Sequence, residues 1–220
     1  MSYYPIFLEL KEKTALVVGG GRVAQRKIET MMEYGAVIHI VSKRLTDKLK
    51  KLVQTGVIHH VGAEFTDEQL EKAFLVIAAT DDKKLNHKIS QKAQARGLLV
   101  NAVDQPSDCN FIVPSIVRRG DLLIAISTSG KSPALARSIR EMLEAQFGSE
   151  YGAFLALMGS LRKQIIAKGF CQSENSRIFN EVINADLLES LAKNDLESVK
   201  IRLRDLLPEG VNVEDILNHI

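Results

Sequence analysis

Two groups of residues have the types and spacing that chemistry requires: the hexad Gly19-Gly20-Gly21-Arg22-Val23-Ala24, and the carboxylate of Asp104 at the end of the apolar run Val100-Asn101-Ala102-Val103. The hexad matches G-x-G-x-x-A, a turn that receives a pyrophosphate when a strand precedes it and a helix comes after. Gly19 permits the tight turn, Gly21 lets the backbone approach the phosphates, and Ala24 is small enough for close packing of helix on strand. The helix start adds backbone amides and a positive dipole. Asp104, beside a bound nicotinamide, could take a proton while a hydride leaves the substrate for the ring, the work of a general base. Taken by itself, an aspartate two residues before Pro106 reads more readily as an Asx-turn residue than as a catalytic one.

Further candidates lie where strands end. An apolar run ends at Val41-Ser42-Lys43-Arg44 with no acid for a ribose diol; Ser42 could bond the ribose, and Lys43 or Arg44 could favour a 2′-phosphate or simply face water. These residues leave NAD against NADP open. Thr80, in Ala78-Ala79-Thr80-Asp81-Asp82, stands where a strand end meets the ligand crevice, while Asp82 reads as a cap of the helix containing Asn86.

The elements that must position these residues show in the alternation of β-branched runs with amphipathic patterns from Thr14 to Val113. The strand-like runs are 15–18, 37–41, 56–61, 74–79 and 98–103, and the first two are joined by a helix with Val23, Ile28, Met31, Met32 and Tyr34 at helical spacing, stopped by Gly35. The reading is an α/β, Rossmann-type doubly wound parallel sheet. A sixth strand is expected at 121–127, then a helix opened by Ser132-Pro133 and running to about Phe147. Beyond Gly148 the apolar spacing is helical throughout, and Pro208-Glu209-Gly210 marks a turn before a last short helix. The expected division is 1–113 for the dinucleotide-binding domain, 114–148 for a small joining segment and 149–220 for an all-helical domain.

Composition excludes other classes. The 220 residues are 45% hydrophobic and 25% charged, ordinary globular usage, and Lys+Arg 29 against Asp+Glu 27 gives a net charge of +2, too balanced for a nucleic-acid coat. No apolar stretch approaches the ~18 residues of a membrane span, and Met1 to Lys13 lacks the pattern of a secretory leader, so the expected place is the cytoplasm, with no membrane partner. Cys109 and Cys171 have no zinc or disulfide spacing, His59 and His60 point to opposite faces of one strand, and no metal site is expected. Neither G-x-S-x-G nor H-E-x-x-H occurs.

Assembled in order, these pieces resemble the precorrin-2 dehydrogenase family, the siroheme synthase amino-terminal module. The resemblance rests on Tyr4-Pro5-Ile6-Phe7-Leu8, on the glycine hexad with Lys27, on 78–82 with Asn86, and on Asn101 to Asp104. It extends through Asn110-Phe111-Ile112-Val113-Pro114-Ser115 and Ser127-Thr128-Ser129-Gly130-Lys131-Ser132-Pro133-Ala134-Leu135-Ala136-Arg137. It implies NAD-dependent oxidation of precorrin-2 to sirohydrochlorin on the route to siroheme, in a homodimer joined through 114–148, and some members also insert ferrous iron. The family's catalytic aspartate falls on Asp104. Its dinucleotide contacts fall on the glycine loop with Arg22 and Val23 and on Lys43 and Arg44, and its tolerance of the missing acid favours NAD.

Fused siroheme synthases continue into a methyltransferase domain where this chain ends, so a separate enzyme is expected to supply the substrate. A tetrapyrrole polycarboxylate suits the cations Arg118, Arg119, Lys131, Arg137 and Arg140. Arg137 and Arg140, within a helix, read better as salt-bridged or solvated. Thr128, Ser129 and Lys131, in a loop after a strand, are the better pocket candidates, with Asn101 beside Asp104 on the substrate side. The competing reading is an NAD-binding regulatory module without catalysis, of the kind that gates potassium transport. Such modules carry the strand-two acid, and would not explain Asp104 or the Ser132-Pro133 block.

Overall fold

The computed structural model describes residues 3–220, and the chain forms two compact units, Met1–Val113 and Pro114–Ile220. The first contains β1 (Thr14–Val18), α1 (Arg22–Glu33), β2 (Val37–Val41), α2 (Asp47–Gln54), β3 (His59–Gly62), β4 (Leu75–Ala78), α3 (Lys83–Ala95) and β5 (Leu99–Ala102). The five strands are parallel, in the order β3-β2-β1-β4-β5. Strand order reverses at β1, so the ligand crevice of such a sheet opens beyond the carboxyl ends of β1 and β4.

Both faces of the sheet are covered, which is why the inner strands are continuous apolar runs rather than alternating ones. Ala15, Val17, Ile38, Ile40, Leu75 and Ile77 pack under Ala24, Ile28 and Met31 of α1 and Leu49 of α2. The alternate residues Leu16, Val18, Val41, Val76, Ala78, Val100 and Ala102 pack under Ile89 and Ala93 of α3. The doubly wound expectation holds. The third strand starts later than its apolar run suggested: Gly56, with φ +71°, and Val57 belong to the turn closing α2, where their amides donate to Val53 O and Leu52 O at 3.1 and 3.0 Å.

The second unit opens with a hairpin, β6 (Ser115–Arg119) and β7 (Leu122–Ile126), antiparallel and turned at Gly120. Sequence reading found β7 but missed β6, whose single fully buried residue, Val117, leaves no period-two signal. Then come α4 (Pro133–Gln146), α5 (Glu150–Ala167), α6 (Gln172–Ile183), α7 (Leu187–Ala192), α8 (Leu196–Leu206) and α9 (Val213–Leu217). Ser132 caps α4 by accepting from Leu135 N at 3.2 Å, with Pro133 at the first helical position. Phe154, Leu157, Leu161 and Ile165, one stripe of α5, close a core with Ile178, Val182, Leu187, Leu191, Val199, Leu203, Val213 and Ile216. Among the described residues, no helix is long and apolar enough to cross a membrane.

Candidate active site at the sheet rim

The register of the sheet sets the site. Val41, Val18, Ala78 and Ala102 are successive partners on β2, β1, β4 and β5. Lys43, Gly20, Thr80 and Asp104 come two residues after these partners, so the motif-bearing residues all leave the sheet at the same edge.

At its centre, Gly19 has φ +125° and donates its amide to Val41 O at 2.9 Å. A Cβ there would lie 2.2 Å from Ala79 O, so only glycine lets the turn pass the end of β4. A Cβ on Gly21 would meet nothing within 4 Å: this face of the loop is open. No side chain caps α1 at Gly21, so the amides of Arg22 and Val23 are left to an outside acceptor. The open glycine face and uncapped helix fit a pyrophosphate, and they border a cleft of about 810 Å³ lined by Gly19, Gly20, Gly21, Ser42, Lys43, Arg44 and Thr80 among others.

Beyond β2, the Ser42 hydroxyl donates to Arg44 O at 2.7 Å, so the proton expected to serve a ribose already holds the local turn. Lys43 pairs with Glu64 at 2.6 Å. Arg44 has no ion pair among the described residues. Beyond β4, Thr80 donates its hydroxyl to Asn86 Oδ1 at 2.7 Å, and Asn86, almost fully buried, donates back to Thr80 O at 2.9 Å. Thr80 therefore lines the cleft as part of a braced loop. Asp82 caps α3 as read from the sequence, accepting from Lys84 N and Leu85 N at 2.9 and 3.1 Å.

Asp104 is exposed and held at φ +57°, a left-handed conformation that only Asn and Asp among larger residues adopt with any ease. Its turn is braced by residues that sequence reasoning did not select. The Cys109 sulfur lies 3.2 Å from Ala102 O and 3.3 Å from Gln105 O, and accepts from Ala102 N at 3.2 Å. Burial pushes this thiol above its ordinary range, which keeps it a neutral strut. The buried Asp108 carboxylate bonds Gln105 Nε2 at 2.8 Å and His87 Nδ1 at 2.7 Å. Asn101, the expected substrate contact, donates to Phe111 O at 3.2 Å and so ties β5 to the loop after it. Lys27 sits three residues after Ala24 on the sheet-facing side of α1. Burial first, then Arg26, lowers its pKa, while Cys109 and Asp104 act in the opposite sense. Its ammonium thus lies within the field of the Asp104 carboxylate.

In the second unit, Thr128 accepts from Ser132 N at 3.2 Å, and Ser129, at φ +52°, donates its amide to Ser127 Oγ at 3.0 Å. With Gly130 and exposed Lys131 they form the loop between β7 and α4. Lys131 has no ion pair among the described residues. Arg137 pairs with Glu141 at 2.8 Å and Arg140 with Glu144, one helical turn on, as helical cations do. Arg119 donates to Phe147 O and Glu144 O at 2.7 and 3.0 Å, satisfying the end of α4. Among the described residues no group of three or more His, Cys, Asp or Glu is placed to hold a metal ion.

Fold and rim together define a Rossmann protein of the dinucleotide-binding class. Residues 6–115 match the family described as putative NAD(P)-binding, and residues 119–146 match the sirohaem biosynthesis protein central family. The chain belongs to the precorrin-2 dehydrogenase and siroheme synthase amino-terminal module family, as its motifs implied. It is 46% identical over 165 residues to siroheme synthase 1 of Serratia proteamaculans, covering 75% of this chain and 35% of that protein. It is 37% identical over 210 residues to siroheme synthase of Photorhabdus laumondii, covering 96% of this chain and 45% of that protein. The chain therefore spans less than half the length of these relatives. Among solved structures, SirC, a precorrin-2 dehydrogenase, superposes with a TM-score of 0.75 at 28% identity, over 92% of this chain and all of that one.

Proposed function

We propose that this chain is an NAD-dependent dehydrogenase that oxidises precorrin-2 to sirohydrochlorin in siroheme biosynthesis. The observation that carries the reading is that Gly20, Thr80 and Asp104 come just after the neighbouring strands β1, β4 and β5, at one edge of the sheet, which brings a carboxylate to the same rim as the dinucleotide loop. The precorrin-2 dehydrogenase likeness over the whole length of the solved chain, and siroheme synthase relatives, support the substrate.

Bound NAD supplies the hydride acceptor. Gly21 and the amides of Arg22 and Val23 would hold its pyrophosphate, in the turn that Gly19 allows, and Ser42, Lys43, Arg44 and Thr80 would line the rest of its cleft. The oxidation removes two hydrogens, one leaving as hydride and one as a proton. Asp104 takes the proton, and being exposed it passes it on to water. The contacts of Cys109, Asp108 and Gln105 hold the backbone turn that carries Asp104. Lys27 supplies a positive charge near the ionised base. Asn101, Thr128, Ser129 and Lys131 serve the substrate, Lys131 as the cation for one of its carboxylates.

We further assign 114–148 to subunit joining and 149–220 to a helical domain beside it. The hairpin and α4 support this: α4 buries only Ala136 and leaves Leu135 and Met142 more than half exposed. The exposed thiol of Cys171 suits a reducing cytoplasm.

Mixing the purified protein with precorrin-2 and NAD tests the proposal: NADH absorbance should rise in step with sirohydrochlorin. Coenzyme binding without NADH formation would make the chain a regulatory module instead. Insertion of ferrous iron, a separate expectation of the resemblance, is measured by incubating the protein with sirohydrochlorin and ferrous iron. A rate equal to that of the protein-free control would remove it.

A further inference from the structure

The acid that this class of sheet carries at the end of its second strand is absent, and the structure delivers a carboxylate to the same place by another route. β3 pairs with β2 through His39↔His59 and Ile40↔His60, but Val41 faces Gly62, so Val61 is one residue too many in β3. Such a bulge bends its strand and re-aims the residues beyond it. Ser42 N donates to Gly62 O at 3.0 Å, and the chain then passes over the end of β2 as Gly62-Ala63-Glu64.

Gln69 fixes that passage. Its Nε2 donates to Val61 O at 3.4 Å and Glu64 O at 3.5 Å, and its Oε1 accepts from Thr66 N at 3.0 Å. The Glu64 carboxylate consequently lies 2.6 Å from Lys43 Nζ, and Glu64 lines the same cleft as the glycine loop, Ser42 and Arg44. The other acid lining that cleft, Asp81, comes after β4 on the opposite side of the glycine loop. Ser42 already donates its proton to Arg44 O, so Glu64 is the strong acceptor facing the end of β2.

We propose that Glu64 is the coenzyme-selecting residue: it accepts hydrogen bonds from the adenosine ribose diol of NAD and rejects the 2′-phosphate of NADP. The inference rests on the NAD reading above. Lys43 is engaged by Glu64 rather than free to receive a phosphate, and its hydrogen bond and charge hold the Glu64 carboxyl below the usual carboxylate range. Removing the carboxylate would leave Lys43 and Arg44 together as a phosphate site. Both partners are largely exposed, at 69% and 72%, so the ion pair contributes little to folding and variants should remain folded.

The test is calorimetric titration of the full chain and of Glu64→Gln and Glu64→Lys with NAD and NADP, alongside thermal unfolding. Glu64→Gln should weaken NAD binding about tenfold, the scale of a charged hydrogen bond, and tighten NADP binding. Glu64→Lys should move preference further toward NADP, with unfolding midpoints unchanged. A wild-type protein that binds NAD while both variants keep its NAD-to-NADP ratio would overturn the Glu64 assignment alone. Equal weakening of both coenzymes would also overturn it, because that is what a merely structural residue does. A wild type that takes up neither dinucleotide would overturn the coenzyme reading and this inference with it.

Discussion

Asp104 combines exposure with a backbone conformation that costs about 1 kcal/mol, and the cost is met by contacts of its neighbours rather than of its own side chain. The glycine loop divides its work between two positions in a way that substitution should separate. Gly19→Ala would drive a Cβ into Ala79 O at a φ of +125°, and is expected to lower stability in urea unfolding by at least about 2 kcal/mol. Gly21→Ala meets empty space; it should unfold within about 1 kcal/mol of the wild type while NAD affinity falls at least about tenfold. At this scale the sequence was informative wherever spacing is local: Gly19, Gly21 and Asp104 sit where their motifs put them. Glu64, Cys109 and Asp108 were not legible. Their roles come from a bulge, a sulfur contact and a buried carboxylate that no short pattern encodes.

Elements were legible where both faces of the sheet are buried, as in β1 and β4, and less so at the margins. β3 is an edge strand whose exposed residues leave its start undefined, and β6 is half of a hairpin with one buried side chain. The link between α3 and the loop after β5 rests on Asp108, which bonds Gln105, and on His87 and Ser90 of the helix. Asp108→Ala would leave His87 without its acceptor and Gln105 Nε2 with Lys83 O alone. It should cost about 1–3 kcal/mol in denaturant unfolding and lower kcat more than it raises the Kd for NAD, because it loosens the turn carrying Asp104. A second tie, Lys92 to Asp67, joins α3 to the turn before β4. The hydrogen bond from Lys92 depresses the Asp67 pKa in the folded chain. Its contribution is therefore present above the unfolded value, near pH 4, and is lost as pH falls through the folded value. Lys92→Met should flatten the fall of unfolding midpoint with acid in that window; an unaltered profile would show that the pair adds nothing.

Across the whole molecule, two compact units are built on different principles: a two-faced sheet in one, a single stripe of α5 gathering four short helices in the other. The two-stranded hairpin and α4 bury little of their own surface, and an isolated hairpin is marginal in water. A dimer formed there should appear in sedimentation, and Met142→Glu, at a position 59% exposed in the single chain, should shift the population toward monomer without lowering secondary structure. The helical periods of the second unit were plain from sequence. The proposed chemistry stands on one proton passing to Asp104. Turnover of precorrin-2 with NAD by Asp104→Asn, measured beside NAD affinity in the same preparation, tests this most directly. The neutral amide tolerates the left-handed turn but is no base, so NADH formation should drop by about a hundredfold or more with NAD affinity unchanged. Turnover equal to the wild type in a folded, NAD-binding variant would contradict that role for Asp104.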